Sequence, residues 1–548
     1  MNYVFGIDLG TTYSCIAYMD EYGKPVVLKN SDGDHTTPSV VMVESADNVV
    51  VGMEAKRSIE VDPDRTVQFI KRKMGKENDK VTLAGITYSA PEISAYILKK
   101  LVKDANDELI QTGVLSEGQE VRDVVITCPA YFGMNERQAT KTAGELAGLN
   151  VLNIINEPTA AAISYGAAGS AKHETVLVYD LGGGTFDITV MDINGSDISV
   201  VCTGGDDTLG GKDWDETLMD YVTERYEEEN GEDLSEDPDA VAALYVDVET
   251  WKKSLTAREK VNISVNGSGG RFREELTRER YEELTHDLLS RTKNLLDEVL
   301  KNAAQKGCPQ EKIDKILLVG GSSRMPQVAK MIEADYHITP VLQDPDEAVA
   351  KGAAIYARNE KQYSDFLLEE SQKTGKELTE ENLKTGGALD KKFALSTSGY
   401  GAIKMNITNV LSRTYGISAY NEDDELVICN MLMSNDKLPA TTTRSFWTGQ
   451  NNQTGTELPI FETRSMEPTL PLGDREPITT IHMRFNERVP KGTEITVMLA
   501  LDNSGILHVM AEELCRHSKL ETTFDLSNQM TEDERITAVR RTAETTVE

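Results

Sequence analysis

Hydrophobic residues in the first two thirds of the chain follow two alternating patterns. Short β-branched runs such as Val124-Val125-Ile126, Val176-Leu177-Val178 and Ile316–Val319 are separated by longer amphipathic stretches, among them Asn135–Ala147 and Arg278–Ala304. The short runs predict buried strands and the amphipathic stretches predict helices. This alternation is typical of α/β layers, and it predicts a large α/β unit over residues 1–358.

The pattern changes after residue 358. Asn359–Leu383 is rich in Glu, Lys and Gln, and it predicts either a charged helix or an exposed linker, assigned here to residues 359–392. Residues 393–526 then show period-two patterns and short apolar runs. The turn sequence Asp502–Gly505 separates two such runs, Ile495–Leu501 and Ile506–Ala511. This part of the chain is predicted to form a small antiparallel β domain.

The last residues, 527–548, predict one short helix. Thr531-Glu532-Asp533-Glu534 has capping-box spacing, and Ile536 and Val539 begin an amphipathic pattern. We expect this helix to be the start of a lid over the β domain.

Composition narrows the classes of partner. The 548 residues carry 57 Lys and Arg against 91 Asp and Glu, a formal net charge of −34. Nucleic acids and anionic lipid surfaces are bound through clustered positive charge, so neither is expected as a partner. The sequence contains no apolar run of about 20 residues and no basic-then-apolar start, which favours a cytoplasmic protein without a membrane span.

Cysteine and histidine residues are not spaced as metal ligands. The six cysteines lie far apart without a C-x-x-C pair, so buried or inert thiols are expected. The seven histidines show no paired ligand spacing, which indicates surface or hydrogen-bonded residues.

One internal repeat suggests two related lobes. Val4–Thr12 and Leu177–Thr185 each read as an apolar strand followed by an acid, glycine and threonine, and their acids are Asp8 and Asp180. A tight turn of this kind lets backbone N–H groups approach an anion, and threonine hydroxyls add donors. Carboxylates would repel bare phosphate, so the two acids predict a hydrated Mg²⁺ opposite a polyphosphate. Two ordinary β-hairpins remain the alternative.

A third glycine-rich segment supports a nucleotide site. In Leu318–Pro326 a strand leads through Gly320-Gly321-Ser322-Ser323 to a helix that opens at proline, and a helix N-terminus favours anions. Together the three segments predict a cleft for a nucleotide between two lobes.

These strings match a known family. Gly6–Thr12 resembles the first phosphate loop of the actin/sugar-kinase/heat-shock ATPase superfamily. Longer strings narrow the resemblance to the seventy-kilodalton heat-shock chaperones of the DnaK type, and these are Val125–Phe132, Arg137–Thr140, Ile154–Ala162, Asp180–Asp187 and Asp344–Ala350. The resemblance implies an actin-like, two-lobed ATPase domain over residues 1–358, followed by a β-sandwich peptide-binding domain over 393–526.

The resemblance also implies site residues. The catalytic set would be Lys71, Glu157, Asp180, Thr185 and Asp187, with Asp8 and Asp180 reaching Mg²⁺ through water. The ATP- or ADP-binding residues would be Gly10, Thr11, Thr12, Tyr13, Gly182, Gly183, Gly184, Gly210, Gly211, Glu249, Lys252, Lys253, Thr256, Gly320, Gly321, Ser322, Arg324 and Asp346. Pro129 and Arg137 match positions that pass the nucleotide state to the second domain. By sequence alone, Lys71 reads as a surface lysine and the Glu249–Thr256 set as a salt-bridged helix face.

Two departures from the family pattern bear on function. Tyr13 stands where the family usually has a small polar residue, which could alter nucleotide affinity or rate. The acidic-leucine linker of the family is not recognisable, and Asp365–Glu369 and Ile403–Leu411 are both candidates for it.

The resemblance implies an ATP-dependent molecular chaperone. Its partners would be unfolded or extended peptide segments, a J-type co-chaperone and a nucleotide exchange factor. An ATP-binding scaffold with weak turnover, an actin-like polymer and a small-molecule kinase remain as alternatives from the same superfamily. A β domain with a different partner also remains open.

Overall fold

The protein was analysed as a computed structural model that describes residues 3–76, 79–167, 173–374, 393, 404–421, 423, 425–502, 506–513, 517–525 and 532–548. Helices and strands are numbered in chain order. The helices are α1 (Met53–Arg57), α2 (Ala90–Gln111), α3 (Met134–Leu146), α4 (Glu157–Ala167), α5 (Gly211–Asn230), α6 (Pro238–Ala257), α7 (Arg278–Leu284), α8 (His286–Gln305), α9 (Pro326–Tyr336), α10 (Ala348–Thr374) and α11 (Glu532–Glu544).

The strands fall into three groups along the chain. Those of the first lobe are β1 (Phe5–Asp8), β2 (Tyr13–Met19), β3 (Pro25–Val27), β4 (Thr37–Pro38), β5 (Val41–Ser45), β6 (Asn48–Val51), β7 (Thr66–Val67), β8 (Val81–Leu83), β9 (Ile86–Tyr88), β10 (Asp123–Cys128) and β11 (Asn150–Asn156). Those of the second lobe are β12 (Glu174–Leu181), β13 (Phe186–Asn194), β14 (Asp197–Asp206), β15 (Lys260–Gly267), β16 (Gly270–Thr277), β17 (Lys315–Val319) and β18 (Val341–Leu342). The remaining strands are β19 (Asn406–Thr408), β20 (Thr414–Tyr420), β21 (Leu426–Leu432), β22 (Ala440–Trp447), β23 (Gln453–Thr463), β24 (Thr469–Pro471), β25 (Thr479–Val489), β26 (Glu494–Leu501), β27 (Ile506–Glu513), β28 (Ser518–Asp525) and β29 (Thr546–Val547).

The two lobes repeat one arrangement. In the first, β1 pairs parallel with β10 and antiparallel with β2; in the second, β12 pairs parallel with β17 and antiparallel with β13. The sheet orders are β11-β10-β1-β2-β3, with β4 beside β2, and β18-β17-β12-β13-β14-β19. The repeat that the sequence indicates is therefore also a repeat of structure.

Helices α4 and α10 join the lobes through a shared core. Side chains from these helices pack together with Val125 of the first sheet and Val178 of the second. The helices approach so closely that a Cβ on Gly352 would lie 1.7 Å from the backbone oxygen of Ala160. Only glycine allows that approach without displacing backbone. The cleft between the lobes therefore opens above a tightly packed base.

Two sequence-based predictions for this part of the chain need revision. The single helix predicted over Arg278–Ala304 is wrong: it is two helices, α7 and α8, that break at Thr285, whose buried hydroxyl lies within hydrogen-bond distance of Tyr281 O and Gln327. The predicted domain end at residue 358 falls inside α10, which continues to Thr374. The linker candidate Asp365–Glu369 therefore lies within this helix, and residues 375–392 lie outside the described part.

The β domain is a sandwich of two antiparallel sheets, as its period-two pattern predicts. One sheet has the order β24-β21-β20-β23-β25 and the other β22-β26-β27-β28. Alternate residues of β26, including Ile495, Val497 and Leu499, point into the core between the sheets. The predicted turn at Asp502–Gly505 lies largely outside the described residues, but the strands on either side of it pair as expected.

The segment between the domains is itself part of a sheet. Within the second linker candidate, Ile403–Leu411, β19 pairs parallel with the edge strand β14 of the second lobe. The backbone N–H of Asn406 donates to Ser196 O at 3.0 Å, and its side-chain amide donates to Asp197 at 2.7 Å. The β domain is therefore tethered directly to the second lobe.

The final helix lies on the first lobe rather than over the β domain, where a lid was expected, because its buried side packs with Ala95 and Leu146. α11 packs against α2 and α3, and β29 pairs parallel with β6 at the edge of the small sheet β29-β6-β5-β7. Ile536 and Val539, the apolar positions that indicated an amphipathic helix, are on its exposed side. Thr531, the predicted cap, lies outside the described residues.

Cysteines 15, 128, 202, 308 and 429 are buried free thiols, and Cys515 lies outside the described residues. In the described part of the chain, no helix has the length and apolar character needed to cross a bilayer.

Candidate functional site

Two glycine loops face each other at the top of the cleft. Each follows the acid-bearing strand of its lobe, with Asp8 opposite Cys15 across the β1-β2 ladder and Asp180 opposite Asp187 across the β12-β13 ladder. The loops touch: a Cβ on Gly183 would lie 1.8 Å from the Thr12 hydroxyl oxygen. A side chain there would push the lobes apart, so glycine is needed for the loops to share one site.

An open cavity of about 630 Å³ lies between the lobes beneath these loops. Most of the residues that the family resemblance implies for the nucleotide and its hydrolysis line it. They are Asp8, Gly10, Thr11, Thr12, Tyr13, Lys71, Glu157, Asp180, Gly182, Gly183, Thr185, Gly211, Glu249, Lys252, Lys253, Thr256, Gly320, Gly321, Ser322, Arg324 and Asp346. Gly184, Asp187 and Gly210 are absent from the lining, as are Pro129 and Arg137.

Lys71 lies at the centre of a buried cluster of acids. It sits on a short 3-10 turn, Ile70–Lys73, and forms a buried ion pair with Glu157 at the start of α4. Burial alone would lower the pKa of Lys71, but Glu157 and Asp8 outweigh it and raise the pKa above its usual value. The ammonium group is therefore charged and held in place. Lys71 is not the surface lysine that its basic triplet suggests.

The three aspartates of the cluster hold their protons unusually tightly. Burial, together with the charge of Glu157, raises the pKa of Asp8 to about 7. The same two causes raise the pKa of Asp180 and of Asp187 well above the usual range. A single lysine does not compensate so many buried carboxylates, and a site of this kind favours additional positive charge.

The cluster fits a hydrated divalent cation beside phosphate. The Thr12 hydroxyl and one carboxylate oxygen of Asp187 are buried without a hydrogen-bond partner among the described residues. Within the described chain, no three His, Cys, Asp or Glu side chains are grouped to ligate a metal directly. The donor set therefore suits contacts through water, because oxygen ligands are the ones that Mg²⁺ prefers and it retains several waters.

The opposite end of the cavity is built by the second lobe. Gly320, with φ 79°, turns β17 into the short 3-10 turn Gly321–Arg324 that precedes α9. Arg324 bonds Asp346 at 2.6 Å. On α6, Lys252 donates to Gly211 O at 2.8 Å and to Asp215 at 2.7 Å. These contacts fix the backbone and charged groups that line this side of the cavity, where a nucleoside would lie.

Tyr13 belongs to a bridge across the cleft. Its hydroxyl accepts from Lys56 at 3.0 Å and from Lys253 at 3.1 Å, and donates to Glu249 at 3.2 Å. Lys56 also bonds Glu249 at 2.5 Å. Burial would raise the pKa of Glu249, but the lysines outweigh it and lower the pKa to about 2. Tyr13 and Lys56 come from the first lobe and the other two from the second, so the bridge links the lobes.

Several residues of the site were not predicted from the sequence, and three of them make polar contacts there. Lys56 has no motif around it and is brought to the bridge only by α1. Arg72 donates to Gly184 O at 2.8 Å and to Asp213 at 3.1 Å, and it could have been suspected from its position next to Lys71. Asp215 follows the Gly210-Gly211 segment by four residues, and that spacing on α5 was its only signal.

Pro129 and Arg137 lie between the cleft and the β domain. Arg137 donates to Phe132 O at 3.2 Å and bonds the side chain of Asn156, the residue before Glu157. The Ser412 hydroxyl of the β domain donates to the same Phe132 oxygen at 2.9 Å. The turn that starts at Pro129 is therefore linked both to Asn156, next to Glu157, and to the second domain.

Charged contacts complete the interface between the domains. The buried Arg413 donates to Glu136 of α3 at 3.2 Å and forms an ion pair with Glu462 of its own domain at 3.4 Å. Arg464 forms a two-pronged contact with Asp207, at 2.6 and 3.2 Å, just before the Gly210-Gly211 segment.

Comparison with known proteins identifies the family. The family model described as Hsp70 protein matches residues 4–373. The chain is 36% identical to the Chaperone protein DnaK of Thermosipho melanesiensis over 527 residues, which cover 93% of this chain and 78% of that protein. It is also 36% identical to the Chaperone protein DnaK of Thermotoga maritima over 548 residues, which cover 97% of this chain and 82% of that protein. With its two repeated lobes, shared cleft and β sandwich, the chain therefore belongs to the HSP70 family.

Proposed function

We propose that the cleft between the two lobes binds and hydrolyses ATP and that its nucleotide state controls the β domain. Membership of the HSP70 family makes the chain an ATP-dependent chaperone and an ATPase. The predicted DnaK-type resemblance, the actin-like fold and the chaperone function are thus confirmed. The roles of individual residues are proposals argued from the cleft.

The observation that carries the catalytic proposal is the buried Lys71. Its charge is held beside Glu157 and Asp8 in the cavity that the two glycine loops line. A fixed ammonium group at that point would stabilise the negative charge that develops on a transferred phosphoryl group. Glu157, Asp187 and Thr185 would orient the attacking water and accept its hydrogen bonds.

The glycine loops would hold the phosphates through backbone N–H groups. Gly10–Thr12 lies on one side, Gly182–Gly184 on the other, and Gly210-Gly211 closes the end of the site. When bound, Mg²⁺ would neutralise phosphate charge, and Asp8 and Asp180 would hold it through water. The orphaned Thr12 hydroxyl supports a ligand at this position.

The second lobe would hold the nucleoside. Glu249, Lys252, Lys253 and Thr256 line the cavity from α6, and Gly320, Gly321, Ser322, Arg324 and Asp346 line it from the other side. The backbone at Gly320-Gly321 would stack beside the base, and the α6 side chains would bond the ribose.

Nucleotide state would reach the β domain through Arg137. A change at Glu157 would move Asn156, and Arg137 would transmit this to Phe132 and the Pro129 turn. Ser412 bonds that turn directly. We therefore assign Pro129 and Arg137 to interdomain coupling.

The β domain would bind extended peptide segments of unfolded proteins. At the turn of the β20-β21 hairpin, Tyr420 and Leu426 form a cross-strand pair that is exposed to solvent. Exposed apolar side chains beside strand edges suit an extended peptide. A J-type co-chaperone and a nucleotide exchange factor are proposed as partners in the cytoplasm, and neither nucleic acid nor membrane is proposed.

Product analysis of the full chain tests this function. Incubation with ATP and Mg²⁺ should release free phosphate and ADP, and addition of unfolded peptide should change the rate. A phosphorylated small molecule in place of free phosphate would indicate a kinase. ATP binding without turnover would indicate a scaffold, and nucleotide-dependent sedimentation would indicate a polymer.

A further inference from the structure

The C-terminal segment 532–548 forms a helix and a strand that are built onto the first lobe. We call this segment, α11 with β29, the C-terminal clamp. Its strand occupies the edge of β6, and its helix crosses α2 and α3. None of its bonding partners named below lines the nucleotide cavity.

Backbone hydrogen bonds attach the clamp to β6. Thr546 N–H donates to Asp47 O at 2.8 Å, and Glu548 N–H donates to Val49 O at 3.0 Å. Val51 N–H donates in turn to Glu548 O at 3.0 Å. Val547 is buried in the same core cluster as Val49 and Val51. The clamp thus completes an edge that would otherwise expose unpaired backbone donors and acceptors.

Side chains of α2 hold the end of α11. The Lys99 ammonium donates to the carbonyl oxygens of Thr542 at 2.6 Å and Thr545 at 2.9 Å, and Lys103 donates to Val547 O at 2.9 Å. Cations at a helix C-terminus satisfy carbonyl groups that have no partner within the helix. Lys99 therefore holds the end of α11, and Lys103 holds β29.

Arg541 adds an anchor in the middle of the contact. It bonds Glu92 at 3.1 Å and Thr87 O at 3.0 Å, and its guanidinium group lies 4.9 Å from the centre of the Tyr88 ring. The side of α11 that faces the lobe is small or polar, since Ala538 and Thr542 are fully buried. That side is complementary to the first lobe, while Ile536 and Val539 face away from it.

The strand that the clamp covers, β6, is followed directly by α1, which reaches the cleft. β6 ends at Val51, Gly52 turns the chain with φ 103°, and α1 follows at once. Lys56 on α1 bonds Glu249 and Tyr13 in the bridge between the lobes. The Val51 N–H that bonds the clamp is therefore five residues from the lysine that spans the cleft.

We propose that the edge of β6 is a binding site for an extended segment, that residues 546–548 of this chain occupy it, and that its occupancy slows nucleotide release. Strand addition fixes β6, and β6 fixes α1, so Lys56 stays bonded across the cleft. When the clamp leaves, α1 gains freedom and the bridge opens more often. This proposal rests on the nucleotide cleft described above.

A matched pair of substitutions tests it in the full chain. Thr546→Pro removes the N–H that bonds Asp47, whereas Thr546→Val keeps it, and the side chain at this position is exposed. Release of a fluorescent ADP analogue, measured by stopped flow, should be about fivefold faster in the proline variant and unchanged in the valine variant. Equal release rates in the two variants would overturn the regulatory role.

The Lys56→Met variant tests whether the clamp affects ADP release through Lys56. If the clamp acts through Lys56, the double variant with Thr546→Pro releases ADP no faster than Lys56→Met alone. Additive effects would contradict this route.

Amide hydrogen exchange tests the clamp without nucleotide. The Val51 amide should exchange faster in Thr546→Pro than in Thr546→Val, and equal protection would show that the strand does not occupy β6. Failure of the wild-type chain to bind ADP would instead count against the nucleotide cleft, so the two failures are distinguishable.

Discussion

Lys71 shows how the surroundings decide what a side chain does. In the sequence it is one of three basic residues in a row, but in the structure only it is enclosed among acids. Two opposing effects act on its pKa, and the attraction of Glu157 and Asp8 prevails over burial. A charged group held in this way needs no reorganisation when phosphate charge develops, which is the condition for efficient electrostatic catalysis.

Lys71→Ala should therefore reduce ATP turnover by about a hundredfold or more while nucleotide still binds. Single-turnover phosphate release and equilibrium binding of ADP measure the two properties separately. Lys73→Ala is the matched control, because Lys73 is partly exposed and pairs with Asp79 at the surface. Near-wild-type hydrolysis in Lys71→Ala would exclude the proposed role.

The raised pKa of Asp215 predicts that the stability of the second lobe depends on pH. Burial raises the pKa of Asp215 to about 6 despite the opposing charge of Lys252. The folded state thus binds this proton more tightly than the unfolded state, whose pKa is near 3.8. The stabilising contribution is present below about pH 4 and is lost as the pH rises through about 6.

Asp215→Asn should remove this loss. The free energy of unfolding of the variant minus that of wild type should increase between about pH 4.5 and 7.5. The increase should be up to about 1.4 kcal/mol for each unit of pKa shift removed. Urea unfolding followed by the fluorescence of Trp214 and Trp251, which are buried in the same lobe, measures it. Asp220→Asn on the exposed side of α5 is the control, and a parallel pH profile for both variants would refute the assignment.

At the scale of elements, β19 connects the β domain to the second lobe because it pairs with the sheet of that lobe. β19 pairs with the edge strand β14, and because ladder hydrogen bonds resist sliding, a shift of the second lobe would be passed to the β domain. The neighbouring contacts of Asn435 with Thr203 N–H, at 2.8 Å, and with Lys306 hold the β domain beside the same sheet.

Asn406→Pro should uncouple the domains. Proline removes the N–H that bonds Ser196, so the change in ATP turnover caused by peptide should be lost while basal turnover remains. Asn406→Ala, which keeps the N–H and loses only the side-chain bond to Asp197, should retain the response. A normal response in both variants would show that coupling does not depend on this ladder.

In the whole molecule, the β domain is docked on both lobes. The β domain meets the second lobe through β19 and Arg464 and meets the first through Ser412 and Arg413, so it bridges the two lobes. We therefore propose that a ligand that favours a different placement of the β domain changes the relative position of the lobes, and with it the acid cluster around Lys71.

Unfolded peptide should consequently stimulate ATP turnover in the full chain, by about fivefold if coupling is at the weak end of the usual range. Steady-state phosphate release with a panel of unfolded peptides measures the effect, and a folded protein of similar composition is the control. No response across the panel would identify the β domain as uncoupled or specialised for another partner.

The limits of the sequence are clearest at Arg278–Ala304 and at the C-terminus. The hydrophobic pattern correctly indicates helix over the first stretch, but it does not show the break at Thr285, whose hydroxyl contacts Gln327, a residue distant in the chain. Likewise, capping-box spacing and periodicity indicate a final helix. They carry no information about the surface on which it packs, because that surface is supplied by α2 and α3.

The family resemblance implied about half of the residues that line the cleft, and the sequence by itself determined the two repeated glycine loops and the α/β and β-sandwich units. These features are encoded locally, in the acid and glycine spacing after each strand and in the period of the apolar residues. Only the tertiary structure decided that Lys71 is buried, that Lys56 and Tyr13 bridge the lobes, and that residues 532–548 lie on the first lobe. Those outcomes depend on contacts between residues far apart in the chain, whose burial and pairing no local pattern records.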